Sequence, residues 1–316
     1  ELAFSADTGM GECLVIGRKG SINNRRATFV VLHERPSSTM TGSSAAVQIL
    51  QLKQGNLRKL EDGPLGGSLL HFGDDVIGYT IDAPIPEQGP WNLARIKDGA
   101  ISQVAYQMAD CGLIWLPSMT KSSAVPISMT TVSKIGHVGP VHRDINGNTP
   151  DGGIRGPFQV EALKTKSAPT YPILWSHDAG RERCMEFEAD CEGIIRQSKD
   201  DTEDTNNRKK ANRIWATASY CHFNADFRFN SQSTGMQFTS RKSIGGRAWP
   251  SIKLDSSEQE KALVLWSNSS LGLLLRWWHS NKQQAGRGSI GVSALASLPI
   301  LDVTKFSKDA LDKAVA

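Results

Sequence analysis

Two β-branched, apolar-rich runs open the chain, Gly11 to Lys19 (GECLVIGRK) and Arg26 to Pro36 (RATFVVLHERP), with the polar, turn-prone KGSINNR near their junction. Such runs bounded by turn residues predict a β-hairpin, and their continuity predicts strands covered on both faces. Thr41 to Lys59 carries a helical period behind Thr41 or Ser43 as N-cap and stops near Gly63 and Pro64. Strand-like pieces follow at Ser68–Phe72 and Val76–Ile81. A helix is expected over Asp98–Asp110, with Ile101, Val104, Ala105 and Met108 on one face, then a short strand over Gly112–Pro117.

The pattern changes after Pro117. Ser118 to Ser123 is polar and linker-like, which predicts two domains, 1–117 and 118–316. Beyond it come short β-rich segments punctuated by Gly and Pro, among them GIRGPFQVEAL, TYPILWSHD and RCMEFEA. Asp200–Asn207 (DDTEDTNN) reads as a solvated loop, and Arg208–Cys221 as a helix burying Ile214, Ala218 and Cys221. His222–Thr239 alternates as strands, and Ser243–Ser251 (SIGGRAWPS) reads as a glycine-rich loop. Ser257–Asn281 is mainly helical behind Ser256 or Ser257, and a last helix opens after Asp302. The fold class is α/β with a mixed α+β second domain, and no internal repeat is visible.

Composition narrows the class. The chain has 316 residues, 39% hydrophobic and 22% charged, enough to bury a core. No apolar run approaches the roughly 20 residues that span a membrane. The longest, Leu271–Trp278, is interrupted by Gly272 and Arg276, and no signal peptide is recognisable. Cys13, Cys111, Cys184, Cys191 and Cys221 share no C-x-x-C spacing, which predicts reduced thiols in a cytoplasm. Glu1 stands before what reads as the middle of a sheet, so the chain is expected to be a piece of something longer.

The net charge of +4 hides an asymmetry. Arg181–Asp204 holds nine acids against four bases. Thr205–Lys253 holds nine bases (Arg208, Lys209, Lys210, Arg213, Arg228, Arg241, Lys242, Arg247, Lys253) against one acid, Asp226. Seven aromatics are interleaved with those bases: Trp215, Tyr220, Phe223, Phe227, Phe229, Phe238 and Trp249. Lys261–Leu301 adds four bases and no acid. A clustered basic stretch is the footprint of a polyanion partner. The alternative is that the aromatics are core and the bases a solvated face.

Catalytic patterns are sought without success. No G-x-x-x-x-G-K-[ST] occurs, and Gly9-Met10-Gly11 precedes a strand instead of following one. The histidines are scattered. His142-Arg143-Asp144 lacks the glycine loop and D-F-G that a kinase needs. A metal-dependent nuclease would want its second acid and lysine at i, i+2 on one strand face, whereas Glu161 and Lys164, after Asp151, are three apart. Ser176, His177 and Asp178 lack a strand–turn–helix elbow. An adenine amino-methyltransferase needs an Asn-Pro-Pro-aromatic turn; the nearest segment, Asn148-Thr149-Pro150-Asp151, has a carboxylate where the aromatic must be.

A resemblance enters at the C-terminal end. Lys261–Val303 contains an apolar run with an Asn-Ser pair, a glycine and basic loop, and then "I…L…LPI". These elements are Leu265, Asn268, Ser269, Leu271, Gly286, Arg287, Ile290, Leu295, Leu298, Pro299 and Ile300. The stretch resembles the end of target-recognition domains in restriction–modification systems. FRFNSQ (Phe227–Gln232) and IGGRAWP (Ile244–Pro250) are similar to the same group. TGMGECLVIGRK with FVVLHERP looks like the last strands of an adenine-specific DNA methyltransferase catalytic domain. The resemblance implies the end of a methyltransferase-like sheet over 1–117 and a fused target-recognition domain over 118–316. It implies duplex DNA and an N-terminal methyltransferase domain as partners, in a restriction–modification or phage-defence setting, and no membrane. The cofactor, S-adenosylmethionine, would be held by the parent enzyme and not by this chain, which lacks the catalytic turn.

Candidate DNA-binding residues follow from side-chain type and loop context. Arg247, flanked by glycines that let backbone approach a ligand, can take guanine O6 and N7. Arg228, Asn230 and Gln232 lie in FRFNSQ, and either amide can bind adenine. Arg241 and Lys242 suit phosphates. Trp249 can stack on sugar or base, or instead anchor its loop. Gln283, Gln284 and Arg287 form a polar loop, and Arg276 is expected to snorkel from a core helix. The leading expectation is sequence-specific duplex recognition; the alternatives are a stand-alone specificity subunit and a metal-dependent nuclease.

Overall fold

The strand-forming runs of the first third become an antiparallel sheet in the computed structural model, which describes residues 26–33, 42–44, 46–47, 68–84, 93, 96, 98–116, 119, 123–148, 155–163, 170–177, 183–229, 234–246, 248–282 and 287–315. Strands Arg26–Leu32 (β1), Ser68–Phe72 (β2) and Asp75–Pro84 (β3) pair in the order β1–β3–β2. Gly73, at φ 61°, turns β2 into β3. Phe29 and Val31 of β1 are buried, whereas on the opposite face Thr28 is exposed and Val30 and Leu32 are only half-buried, so this strand is fully covered on one face and not on both. Its described partner is β3, from Arg26↔Pro84 to Leu32↔Gly78. The expected hairpin partner Gly11–Lys19 and most of Thr41–Lys59 lie outside the described residues; 42–44 and 46–47 are helical.

Helix α1 (Gly99–Cys111) starts where the sequence predicts, with Asp98 Oδ1 accepting from the Ile101 amide at 2.9 Å. Val104, Ala105 and Met108 are buried but Ile101 is exposed. The buried stripe turns instead through Ser102 and Gln103, and the Ser102 hydroxyl donates to the Leu93 carbonyl at 3.2 Å. Buried Tyr79 donates to the Ile96 carbonyl, and burial pushes its phenol up to about 12. The expected strand after Gly112 shrinks to Leu113–Ile114 (β4), paired with Val125–Pro126 (β5).

The chain divides into two units, residues 1–127 with 277–284, and residues 128–276 with 285–316. The second contains strands Met129–Thr131 (β6), His137–Val138 (β7), Phe158–Ala162 (β8), Pro172–Leu174 (β9), Glu186–Phe187 (β10), Cys191–Ile195 (β11), Ser219–Phe223 (β12), Met236–Gly245 (β13) and Ser251–Lys253 (β14). Its main sheet runs β7–β14–β12–β13–β9–β11–β8, mostly antiparallel. The long β13 carries β12 along one edge. Its other edge pairs in parallel with β10 at Phe238 and Thr239, and with β9 at Ile244 and Gly245.

Helix α2 (Asp201–Ala216) covers β11 and the end of β13, burying Ala211 and Ile214 beside Phe158, Ile173 and Ile244. Its first half is the acidic stretch expected as a loop. Asp200 caps it, accepting from the Thr202 amide at 2.8 Å, and Asp201, Glu203 and Asp204 occupy the first turn. Carboxylates there offset the helix dipole and the exposed amides, so acidity marks a helix start and not solvation. The helix also ends early: Ala218 and Cys221 lie beyond it, Cys221 in β12.

Ser257–Asn281 divides into α3 (Ser257–Asn268) and α4 (Ser270–His279), with Ser256 capping the first as expected. Ser269 breaks the run, its extended ψ of 161° ending α3 while its hydroxyl accepts from the Gly272 amide. The LPI segment leads into the strand Pro299–Leu301, paired with β6, and Ile290, Leu295, Leu298 and Ile300 join the core beneath α3 with Phe223, Phe238 and Leu263. Helix α5 (Lys308–Val315) closes the described chain. Among the described residues no helix is long and apolar enough to cross a membrane.

Candidate nucleic-acid interface

The β12–β13 hairpin presents basic residues at two places. The first is its connecting loop. Phe223 and Met236 close the hairpin, and residues 224–235 run beyond them. Side chains from distant segments fix the base of that loop. Asn268 Oδ1 accepts from the Gly235 amide at 2.7 Å, and its Nδ2 donates to the Met236 and Val264 carbonyls, both at 2.9 Å. Asn224 Nδ2 donates to the Thr234 carbonyl at 3.2 Å, closing the loop across its neck.

Arg276 of α4 completes the base. It is 3% exposed, and its guanidinium donates to the carbonyls of Gly235 (3.2 Å) and Asn224. It lies 4.1 Å from the Phe223 ring centre and 4.8 Å from that of Phe227. Desolvation pushes its pKa down to about 9, with Asp226 pulling the other way, so it stays a cation at neutral pH. The expected snorkelling is overturned, because loop carbonyls and aromatic faces replace water as its solvation shell.

On this base the loop pairs with a second basic segment. Gly288 N donates to the Phe227 carbonyl at 3.0 Å and Ile290 N to that of Ala225 at 3.1 Å. Arg228 and Arg287 face each other across an antiparallel bridge. Directly opposed side chains share a face at about 5 Å between Cβ atoms, so two like charges are held side by side. Asp226 Oδ1 takes Arg287 Nη2 at 2.8 Å. Sequence reasoning missed Asp226, although its signal is legible: it is the sole acid of its basic window.

The second place is a bulge within β13. Ser219 pairs with Ser243 and Cys221 with Phe238, so Thr239–Lys242 oppose Tyr220 alone. The extra residues bend the strand outward, leaving Ser240 and Arg241 exposed and Lys242 half-buried. Lys242 Nζ lies 5.2 Å from the Trp215 ring centre. Burial holds its amine below the usual lysine value, Lys253 adds repulsion, and Glu260 opposes both. Lys253 Nζ in turn donates to the Ala216 carbonyl at the end of α2, at 2.7 Å. Arg208, Lys209, Lys210 and Arg213 are exposed along that helix, and Arg208 pairs with Asp204 at 2.9 Å.

A buried polar cluster supports the bulge. Ser243 Oγ lies 2.8 Å from His222 Nε2, Thr239 Oγ1 lies 3.3 Å from the same nitrogen, and His222 Nδ1 lies 3.4 Å from the Trp249 carbonyl. A carbonyl only accepts, so Nδ1 carries the proton and Nε2 accepts from the Ser243 hydroxyl. Burial lowers the imidazole pKa to about 4, keeping it neutral. His222, Thr239 and Ser243 are all fully buried, so this serine–histidine pair is a strut with no route for a substrate.

Trp249 is excluded from the interface. It is 0% exposed, packs with Leu174 and Ala248, and donates from Nε1 to the Ser176 carbonyl at 3.2 Å. No face remains to meet a base, so the loop-anchor alternative holds. The glycines beside Arg247 are also explained internally. A Cβ on Gly246 would overlap the Trp175 ring, and one on Gly245 would overlap the backbone at Ser251. They allow the chain to pack on itself, not a ligand to approach. Gly246→Ala should therefore lower the melting midpoint by the equivalent of about 1–3 kcal/mol; a change within thermal-melt error would refute this close packing. The loop itself is shorter than expected, since Ser243–Gly245 complete β13 and Ser251 opens β14.

Of the interleaved aromatics, Phe223, Phe227, Phe238 and Trp249 are core, while Trp215, Tyr220 and Phe229 are half-buried. Asn230, Gln232, Arg247 and Gln283 lie outside the described residues. So do Asp151 and Lys164, whereas Glu161 on β8 accepts from Gln159 at 2.7 Å. Among the described residues no group of three or more His, Cys, Asp or Glu is placed to hold a metal ion.

No family model matches this chain, and no curated protein or solved structure is significantly similar to it.

Proposed function

We propose that the second unit binds duplex DNA and reads its sequence. The observation that carries this reading is the pairing of Arg228 with Arg287, two cations from separate basic segments held side by side on a loop whose base is rigid. Asp226 relieves part of the repulsion between these like charges, and a polyanion would relieve it further. Arg241 and Lys242, on the bulge further along β13, extend the basic surface and serve as phosphate contacts.

The parent enzyme in this proposal is an adenine-specific DNA methyltransferase of a restriction–modification or phage-defence type, working in the cytoplasm; the resemblance of Lys261–Val303 and of the opening strands supports it. Within such an enzyme the N-terminal methyltransferase domain is a partner and S-adenosylmethionine its cofactor. The Asn-Pro-Pro-aromatic turn that would hold the target adenine is missing from the sequence, and among the described residues Gly78 and Gly99 pack against the Val31 carbonyl and the Tyr79 ring instead of opening a cofactor cradle. No methyl-transfer step is assigned to this chain.

The test is double replacement of Arg241 and Lys242 by alanine. Phosphate contacts carry no sequence information, so affinity for every duplex should fall alike and the salt dependence should flatten by about two counterions. Loss confined to one sequence would remove these residues from the phosphate set.

A further inference from the structure

Asp226 and Arg287 form an ion pair whose location a structural role does not explain. Both side chains are about two-fifths exposed, Asp226 at 40% and Arg287 at 38%, and an exposed pair contributes almost nothing to stability. Yet Asp226 is the only acid from Thr205 to Lys253, and no acid occurs from Lys261 to Leu301. A lone carboxylate on a surface that meets phosphates weakens binding, so its presence calls for a compensating task.

The surroundings show the task. The Asp226 amide donates to Asn224 Oδ1 at 3.2 Å, and the Asn224 carbonyl accepts from buried Arg276. Arg287 is fixed on the other side by its bridge to Arg228 and by the Gly288 and Ile290 amides. Its Nε is buried and has no hydrogen-bond partner among the described residues. The backbone sets the root of the side chain and the carboxylate sets its tip, so the planar fork is held in one orientation while part of it stays exposed.

We propose that Arg287 reads a guanine in the major groove and that Asp226 is its positioning residue. The inference rests on the duplex-DNA reading above. Guanine presents O6 and N7 as paired acceptors, which a pre-oriented guanidinium meets with two parallel hydrogen bonds. Holding the fork before binding removes the entropy of ordering it and rejects bases that cannot fill both donors.

The experiment is selection from a randomised duplex pool with the full 316-residue chain, followed by competition against the selected site. The wild type should select a guanine at one position with about ten- to hundredfold discrimination. Arg287→Lys, which keeps the charge, should retain affinity for random duplex and lose that discrimination. Asp226→Asn should bind random duplex as well as the wild type or better, because a negative charge is gone, yet also lose selectivity at the same guanine. Unchanged selectivity in Asp226→Asn, or a selected site that Arg287→Lys does not alter, overturns the inference while leaving DNA binding intact. Failure of the wild type to bind any duplex at low salt overturns both readings together.

Discussion

Arg276→Ala should destabilise the protein by about 3–5 kcal/mol and, on the proposed duplex-DNA reading, abolish binding with it. The side chain fills the space between Phe223 and Phe227 and satisfies two buried carbonyls, those of Asn224 and Gly235. Truncation leaves a cavity and two unpaired acceptors at once. Arg276→Lys should recover only part of the loss, because an ammonium cannot span both carbonyls with a flat fork. Chemical denaturation followed by tryptophan fluorescence measures this directly. A loss within about 0.5 kcal/mol, as for an ordinary surface residue, would contradict the assignment.

Acid should weaken the fold through His222. Its imidazole has a pKa of about 4 when buried and near 6.5 in an unfolded chain. Between those values the unfolded state binds the proton and the native state does not. The stability that His222 contributes by staying neutral is therefore complete above about pH 6.5 and is lost as the pH falls toward 4. Across that window the loss is on the order of 3 kcal/mol. Glu260 works in the opposite direction, since burial raises its carboxyl and protonation then favours the native state. The comparison of wild type with His222→Gln isolates the histidine: the variant should show a flatter loss of stability between about pH 7 and pH 4.5. Parallel slopes for the two proteins would show that His222 is not buried in neutral form.

Local signals were legible and distant partnerships were not. Ser68–Phe72, the start of α1 at Asp98 and the Ser256 cap of α3 follow from nearest-neighbour chemistry, and the structure keeps them. The acidic start of α2 was misread because charge density suits both a loop and a helix N-terminus; only the Asp200 cap decides. Arg276 and Trp249 carry no local sign of burial. Their partners at Asn224, Gly235 and Ser176 are 41 to 73 positions away in the chain. The same holds for the candidate interface. Arg228 and Arg287 could each be singled out as basic loop residues, but their juxtaposition depends on a bridge between segments that only the folded hairpin brings together. The bulge at Thr239–Lys242 was hidden for another reason: a register shift leaves no trace in an alternating pattern.

The most direct test of the account is a salt titration of the full chain on random-sequence duplex DNA, beside a single strand of equal length. If Arg228, Arg241, Lys242 and Arg287 meet phosphates or lie among them, duplex affinity should fall about a hundredfold between roughly 50 and 200 mM salt, with the single strand bound more weakly throughout. Absence of duplex binding at the lowest salt, or an affinity indifferent to salt, would contradict the central claim that this surface is built for DNA.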